Sequence, residues 1–240
     1  MRRAVAAEWG KTWSLRSAWF APPAAVVLTV LTAATLANDL VLDIAQHRRP
    51  ATDTSAVLDP LGPAVQLGQL ALVALAMVVV TSEYGTGLIR ATFLARPRRG
   101  DVLAAKTVVA TGVGLVAGLG SAAAGWLAAR AVLGAHARPG SPVPDCLRLA
   151  LVVGLACAFT TAAGFVLRSG AATLTVVFVL FVGLQVLDPR VGDWTPAGAG
   201  VAFASGDATA YPSWAGAVVL AAWVAAAQVA AYVLVGRRDT

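Results

Sequence analysis

The chain has 240 residues, of which 58% are hydrophobic and only 12% charged, and its mean hydropathy is +0.76. Soluble domains carry about 25% charged residues, so this composition argues against a soluble globular domain and for a membrane protein. Two cysteines, Cys146 and Cys157, are too few for a disulfide framework and are expected to be inert.

The stretch before the first apolar run, VAAEWGKTWSLRSAW, places Val5, Trp9 and Trp13 at four-residue spacing. Residues 1–17 are therefore predicted to form an amphipathic helix in the membrane interface, with tryptophan at headgroup depth. Glu8, Lys11 and Ser14 turn elsewhere, and Arg16 falls near the Trp stripe and must snorkel. A plain lipid anchor and an elbow packed on a bundle both fit this pattern. No cleavable leader is expected.

Six transmembrane helices are then predicted in one domain over 18–240, giving an all-α polytopic fold. A span needs roughly 20 apolar residues, and the runs are 18–41, 61–81, 107–133, 147–167, 171–187 and 213–235. Pro22 and Pro23 are expected in the first turn of the first span, where a missing N–H costs little.

Six spans place both termini on one side. That side carries 12 of the 18 Lys and Arg and only four of the 12 acids, Glu8, Glu83, Asp101 and Asp239. The positive-inside rule makes it the cytoplasmic side. The net charge of +6 is then accounted for by topology and anionic lipid, without nucleic acid.

The second connection, 82–106, reads SEYGTGLIRATFLARPRRGDVLAAK. Gly85 and Gly87 permit a break and a turn. Thr86 to Leu94 can form a short helix, which Pro97 ends by disfavouring helical geometry at Arg96. By charge alone this is a solvated basic loop. By shape it is a short helix projecting from the membrane between spans two and three.

In the third span Gly114 and Gly118, and Ser121 and Gly125, are four apart, a spacing that lets helices approach closely. Packing within the subunit is the ordinary outcome of that spacing, and a dimer seam the alternative. Among the few polar residues in the spans, Gln66 lies toward an outer end, whereas Gln69 and Gln228 are deeper. They serve either as interhelical hydrogen-bond partners or as contacts along a pathway. The long outer loop 188–212 has an apolar middle, AGAGVAFA, able to re-enter the membrane edge if buried against protein.

The 82–106 loop resembles the cytoplasmic loop of type-2 ATP-binding-cassette exporter permeases. The matching positions are Glu83, Gly85-Thr86, Leu88 with Leu94, Pro97, Arg98-Arg99 and Lys106, with Tyr84 and Arg90 between them. Pro97 stands directly before the basic pair, where that family usually has a small residue. The opening, with Glu8, Lys11, Leu15, Arg16, Ser17 and Trp19, and the ending GRRDT are similar to actinobacterial members.

This resemblance implies a permease subunit in a bacterial cytoplasmic membrane, paired with a second copy or a homologue. Its 82–106 segment would carry a coupling helix docked on a separate ATPase subunit, which binds ATP and magnesium. Short outer helices would close the exit, and the first and fifth spans would make most dimer contacts. The chain has no Gly-x-x-x-x-Gly-Lys-Ser/Thr phosphate loop, so it is expected not to be an enzyme itself. The cargo implied by apolar spans with a few amides is lipophilic or amphipathic. A non-transporting anchor or sensor subunit is the alternative. A secondary transporter, which usually shows internal repeats or intramembrane charges, fits less well. No metal-ligand spacing surrounds His47 or His136.

Overall fold

A computed structural model describes residues 1–50, 52–95, 99–183, 189–205 and 211–238. Among these residues the protein is helical throughout, apart from turns and one isolated bridge between Ser55 and Ala137. In chain order the helices are α1 (Arg2–Ser14), α2 (Arg16–Ala45), α3 (Leu58–Gly85), α4 (Leu88–Ala95), α5 (Arg99–Leu133), α6 (Pro142–Leu167), α7 (Gly170–Phe178), α8 (Pro189–Gly192), α9 (Pro196–Ser205) and α10 (Ser213–Arg238). Five of them, α2, α3, α5, α6 and α10, are long and apolar enough to cross a membrane. That is the makeup of a polytopic membrane protein.

The predicted fifth span corresponds to a shorter apolar helix, Gly170–Gly183. It begins as α7, with the Ser169 hydroxyl accepting from Ala172 N, and continues as a π-helical turn over Val179–Gly183. The remainder of that predicted span, 184–187, lies outside the described residues.

Leu15 adopts an extended conformation, φ −79° and ψ 132°, and separates α1 from α2. Because α2 already starts at Arg16, Pro22 and Pro23 lie in its second turn and not in the first, which corrects the predicted start at residue 18. Their nitrogens cannot donate to the carbonyls of Ala18 and Trp19. Similarly, α5 starts at Arg99, several residues before the predicted span, and so carries Lys106 within the helix.

The bundle is held by small residues. A Cβ on Gly114 would stand 2.8 Å from Cys157 Sγ and 3.1 Å from Gly154 Cα, and one on Gly118 would stand 2.9 Å from Val153. A Cβ on Gly125 would meet Thr29 and Leu61 at 2.8 and 2.9 Å. The small-residue rows of α5 therefore face α6, α2 and α3 of the same chain, which is packing within the subunit. Helix α6 is the most enclosed, buried almost continuously from Val152 to Phe165.

Outward-facing side chains of α2 and α10, such as Val27, Leu31, Val218 and Val229, are apolar and exposed, as lipid-facing positions are. In the outer loop the apolar middle is not irregular backbone but helix α9, buried at Ala197, Ala199 and Ala202. It lies so close to α10 that a Cβ on Gly216 would be 2.6 Å from the Ala199 carbonyl oxygen.

Candidate functional site

At one end of the bundle three helices bring four charges together. Helix α3 ends with Glu83, α5 carries Lys106 on a buried face, and α1 supplies Glu8 and Lys11 one turn apart. Lys106 Nζ donates to Glu8 Oε2 at 2.6 Å, to Glu83 Oε1 at 2.9 Å and to the Val79 carbonyl at 3.3 Å. Lys11 Nζ donates to Glu8 Oε1 at 3.0 Å, to the same Glu83 Oε1 at 3.2 Å and to Thr92 Oγ1 on α4 at 3.3 Å. The Lys106 side chain is 1% exposed, those of Glu8 and Glu83 6% and 11%, and that of Lys11 45%.

Two cations and two carboxylates balance, which is what allows ions to be held out of water. Lys106 uses all three ammonium donors on acceptors from α1 and α3. Among the described residues, Glu83 Oε2 is buried without a partner.

The cluster explains the face that α1 turns to the bundle. Ala4, Glu8 and Thr12, spaced four apart, are its buried residues, while Trp9 is 49% exposed. The Thr12 hydroxyl is satisfied by the Glu8 carbonyl at 2.9 Å. Beside this row Trp13 and Leu15 pack on Leu75, Val79 and Val113. Trp9, Trp13 and Trp19 form successive edge contacts at 5.5 and 5.2 Å. Helix α1 is thus an elbow packed on α3 and α5, with part of its aromatic stripe turned outward. Arg16 is exposed. Thr12 and Thr92 carry no strong sequence signal, although the four-residue row of small side chains around Glu8 marks this face in retrospect.

The 82–106 segment forms the predicted short helix, α4, two residues later than the first position expected. Gly87, at φ +73°, makes the turn between α3 and α4, a conformation that glycine adopts without strain. Thr86 accepts the helix end, its hydroxyl donating to the Ser82 carbonyl at 2.8 Å. Gly85 lies in open space.

Tyr84 packs edge-on to Phe165 at 6.1 Å, and the Arg168 guanidinium stands 5.2 Å from the Tyr84 ring. Ile89 fixes α4 to the bundle and is buried with Val80, Leu103 and Phe165. Leu88 and Leu94 point away and are 59% and 84% exposed. Arg99 Nη1 donates to the Val235 carbonyl at the end of α10. The Arg90 side chain, Pro97 and Arg98 lie outside the described residues.

The site residues therefore divide. Glu8, Lys11, Glu83 and Lys106 converge in one cluster, whereas Leu88 and Leu94 form an exposed apolar pair. A cavity of about 540 Å³ lies between α1, α3, α4 and α5, beside the charges.

The three glutamines are elsewhere. Gln228 Nε2 donates to Thr107 Oγ1 at 3.1 Å and to the Ala158 carbonyl at 3.0 Å, tying α10 to α5 and α6. Gln66 Nε2 donates to the Phe181 carbonyl at 3.3 Å. Gln69 is 3% exposed, and its Oε1 has no partner among the described residues.

Partial burial alone would lower the pKa of Lys11; the hydrogen bond and charge of Glu8, then those of Glu83, outweigh it and hold the pKa above its ordinary 10.5. A raised pKa in the folded state stabilises the fold fully below the unfolded value, and that contribution is lost as pH rises through the folded one. The stability gap between wild type and Lys11→Met is accordingly expected to stay constant from neutral pH to about 10 and to narrow only above 10.5. Thermal unfolding in detergent across that range measures it.

No protein-family model matches the chain, and no curated protein matches it.

Proposed function

We propose that the chain is the membrane-spanning permease subunit of a type-2 ATP-binding-cassette exporter, with α4 as its coupling helix. One observation carries this function: α4 is an eight-residue helix between two long apolar helices, anchored on one face and bare on the other. Ile89 and the Thr92–Lys11 hydrogen bond hold the inner face. Leu88 and Leu94 offer the outer face an apolar grip. The cluster of Glu8, Lys11, Glu83 and Lys106 supports the same function. It joins positions that the sequence resemblance marks separately, and it ties α4 to α1, α3 and α5.

An ATPase closing on nucleotide biases a permease only through contacts that differ between its open and closed states. A push on α4 reaches Lys11 through Thr92, and from there Glu8, Glu83 and Lys106. Because these charges are paired in low dielectric, the helices bearing them move as a unit more readily than they separate. ATP and magnesium belong to the partner ATPase. A second copy or a homologue completes the transport path in the bacterial cytoplasmic membrane, with both termini inside. The cargo is lipophilic or amphipathic.

The test is Leu94→Glu combined with Leu88→Glu, both at exposed positions, so that insertion and thermal stability stay at wild-type values. In vesicles reconstituted with the ATPase subunit that co-purifies with the chain, transport per ATP hydrolysed is expected to fall about tenfold, the effect of about 1.4 kcal/mol of lost coupling. Unchanged coupling in the double variant, or purified chain that transports with no ATPase bound, overturns the assignment.

A further inference from the structure

At the end of α3 remote from the charge cluster, a second cavity of about 320 Å³ opens between α3, α6, the π-helical turn and α9. We propose that it binds a small lipophilic ammonium, an alkylamine of about ten heavy atoms. Four observations converge on it.

Its walls are apolar, built from Val65, Leu149, Val152 and Phe181. At roughly 30 Å³ per heavy atom, the share a water takes in the liquid, the space matches such a molecule and falls at the small end of ligand pockets.

The polar groups are acceptors. Gln69 lines the cavity while 97% buried, with a carbonyl oxygen that no described residue satisfies. A buried acceptor without a donor costs about 1–3 kcal/mol, which a ligand N–H would recover.

The charge is negative. Asp59 is the one ionisable side chain of the lining, and it stands exposed at the first turn of α3. One of its oxygens, Oδ2, accepts from Ala56 N at 3.0 Å. No lysine or arginine lines the space, so an anion gains nothing there.

The wall is irregular where it matters. Phe181 belongs to the π-helical turn, and Gln66 donates to its carbonyl oxygen. Such turns recur at functional sites because they re-aim side chains and free carbonyls.

The site stands apart from the coupling proposal, because binding is measured without ATP and without the ATPase subunit. The probe is octylammonium, in equilibrium dialysis against the full chain in nanodiscs, with empty nanodiscs subtracting bilayer partition. The expected result is one saturable site per chain, with octanoate failing to compete.

Gly62 lines the cavity, and a Cβ there would meet nothing within 4 Å. Gly62→Phe therefore fills the space without a backbone clash and is expected to weaken binding more than about tenfold. Gln69→Leu removes the acceptor, leaves no polar atom unsatisfied, and is expected to weaken binding about tenfold. Asp59→Asn keeps the acceptor for Ala56 N and is expected to weaken octylammonium without affecting octanol. Binding that survives both Gly62→Phe and Gln69→Leu places the amine elsewhere and overturns the proposal. So does equal binding of octanoate, or uptake that never exceeds that of empty nanodiscs.

Discussion

Lys106→Met is expected to cost the fold about 3–5 kcal/mol, the range for removing one partner from a buried ion pair. The methionine fills a similar volume, so the loss is electrostatic. Glu8 and Glu83 would face each other with only Lys11 between them, and the Val79 carbonyl would lose its extra donor. Lys11→Met removes the same formal charge but from a side chain 45% exposed, where water replaces the ammonium and the cost is about 1 kcal/mol or less.

The ranking is the test. Thermal unfolding in detergent should place Lys106→Met far below Lys11→Met, with the Lys106→Met/Glu8→Gln double variant recovering part of the deficit, because it removes one of the two stranded carboxylates. A Lys106→Met protein as stable as Lys11→Met would show that the cluster contributes nothing beyond surface pairing. The same substitution frees α1 from α5. Coupling through Thr92 should then weaken even at temperatures where the protein remains folded.

Much of this cluster was legible in the sequence, though not its form. Glu8, Lys11, Glu83 and Lys106 stand out as charges at the ends of apolar runs, and both the pattern of the opening and that of the 82–106 loop mark them. Their meeting is invisible locally, because it depends on α1 folding back across α3 and α5. That fold-back is set by the extended residue Leu15 and by the packing of Trp13 and Leu15 on Leu75, Val79 and Val113.

The Val5, Trp9 and Trp13 stripe drew attention to one face of α1, while the face that packs is the quieter row of Ala4, Glu8 and Thr12. Hydropathy located five helices well but misjudged where two of them begin. A helix that continues past the hydrocarbon into charged residues, as α5 does from Arg99, has no apolar signal at its start. The π-helical turn had none either, since its residues, VLFVG, are as apolar as any regular span.

The crossing of α2 and α3 depends on a single missing methyl group. A Cβ on Gly68 would stand 2.1 Å from Thr29 Oγ1 and 2.8 Å from the Ala25 carbonyl oxygen. The first contact is with a side chain able to turn; the second is with helix backbone, which can yield only if α2 shifts as a whole. Gly68→Ala is therefore expected to cost about 1–3 kcal/mol, the range for overpacking a close-packed interior, although alanine is intrinsically the better helix former by about 1 kcal/mol.

Gly112, on α5, has nothing within 4 Å of its would-be Cβ, so Gly112→Ala should be neutral or slightly stabilising and calibrates the propensity contribution. Thr29 is fully buried, and its hydroxyl is unpartnered among the described residues, so Thr29→Ala should be mild by itself. Combining it with Gly68→Ala removes the 2.1 Å contact and leaves the 2.8 Å one. Thermal unfolding of the four proteins should then give a coupling of about 1 kcal/mol in the direction of rescue, with a remaining deficit that belongs to the backbone of α2. Additive effects would mean that α2 and α3 tolerate separation at Gly68, and that their spacing is set instead where Gly125 of α5 meets Thr29 and Leu61.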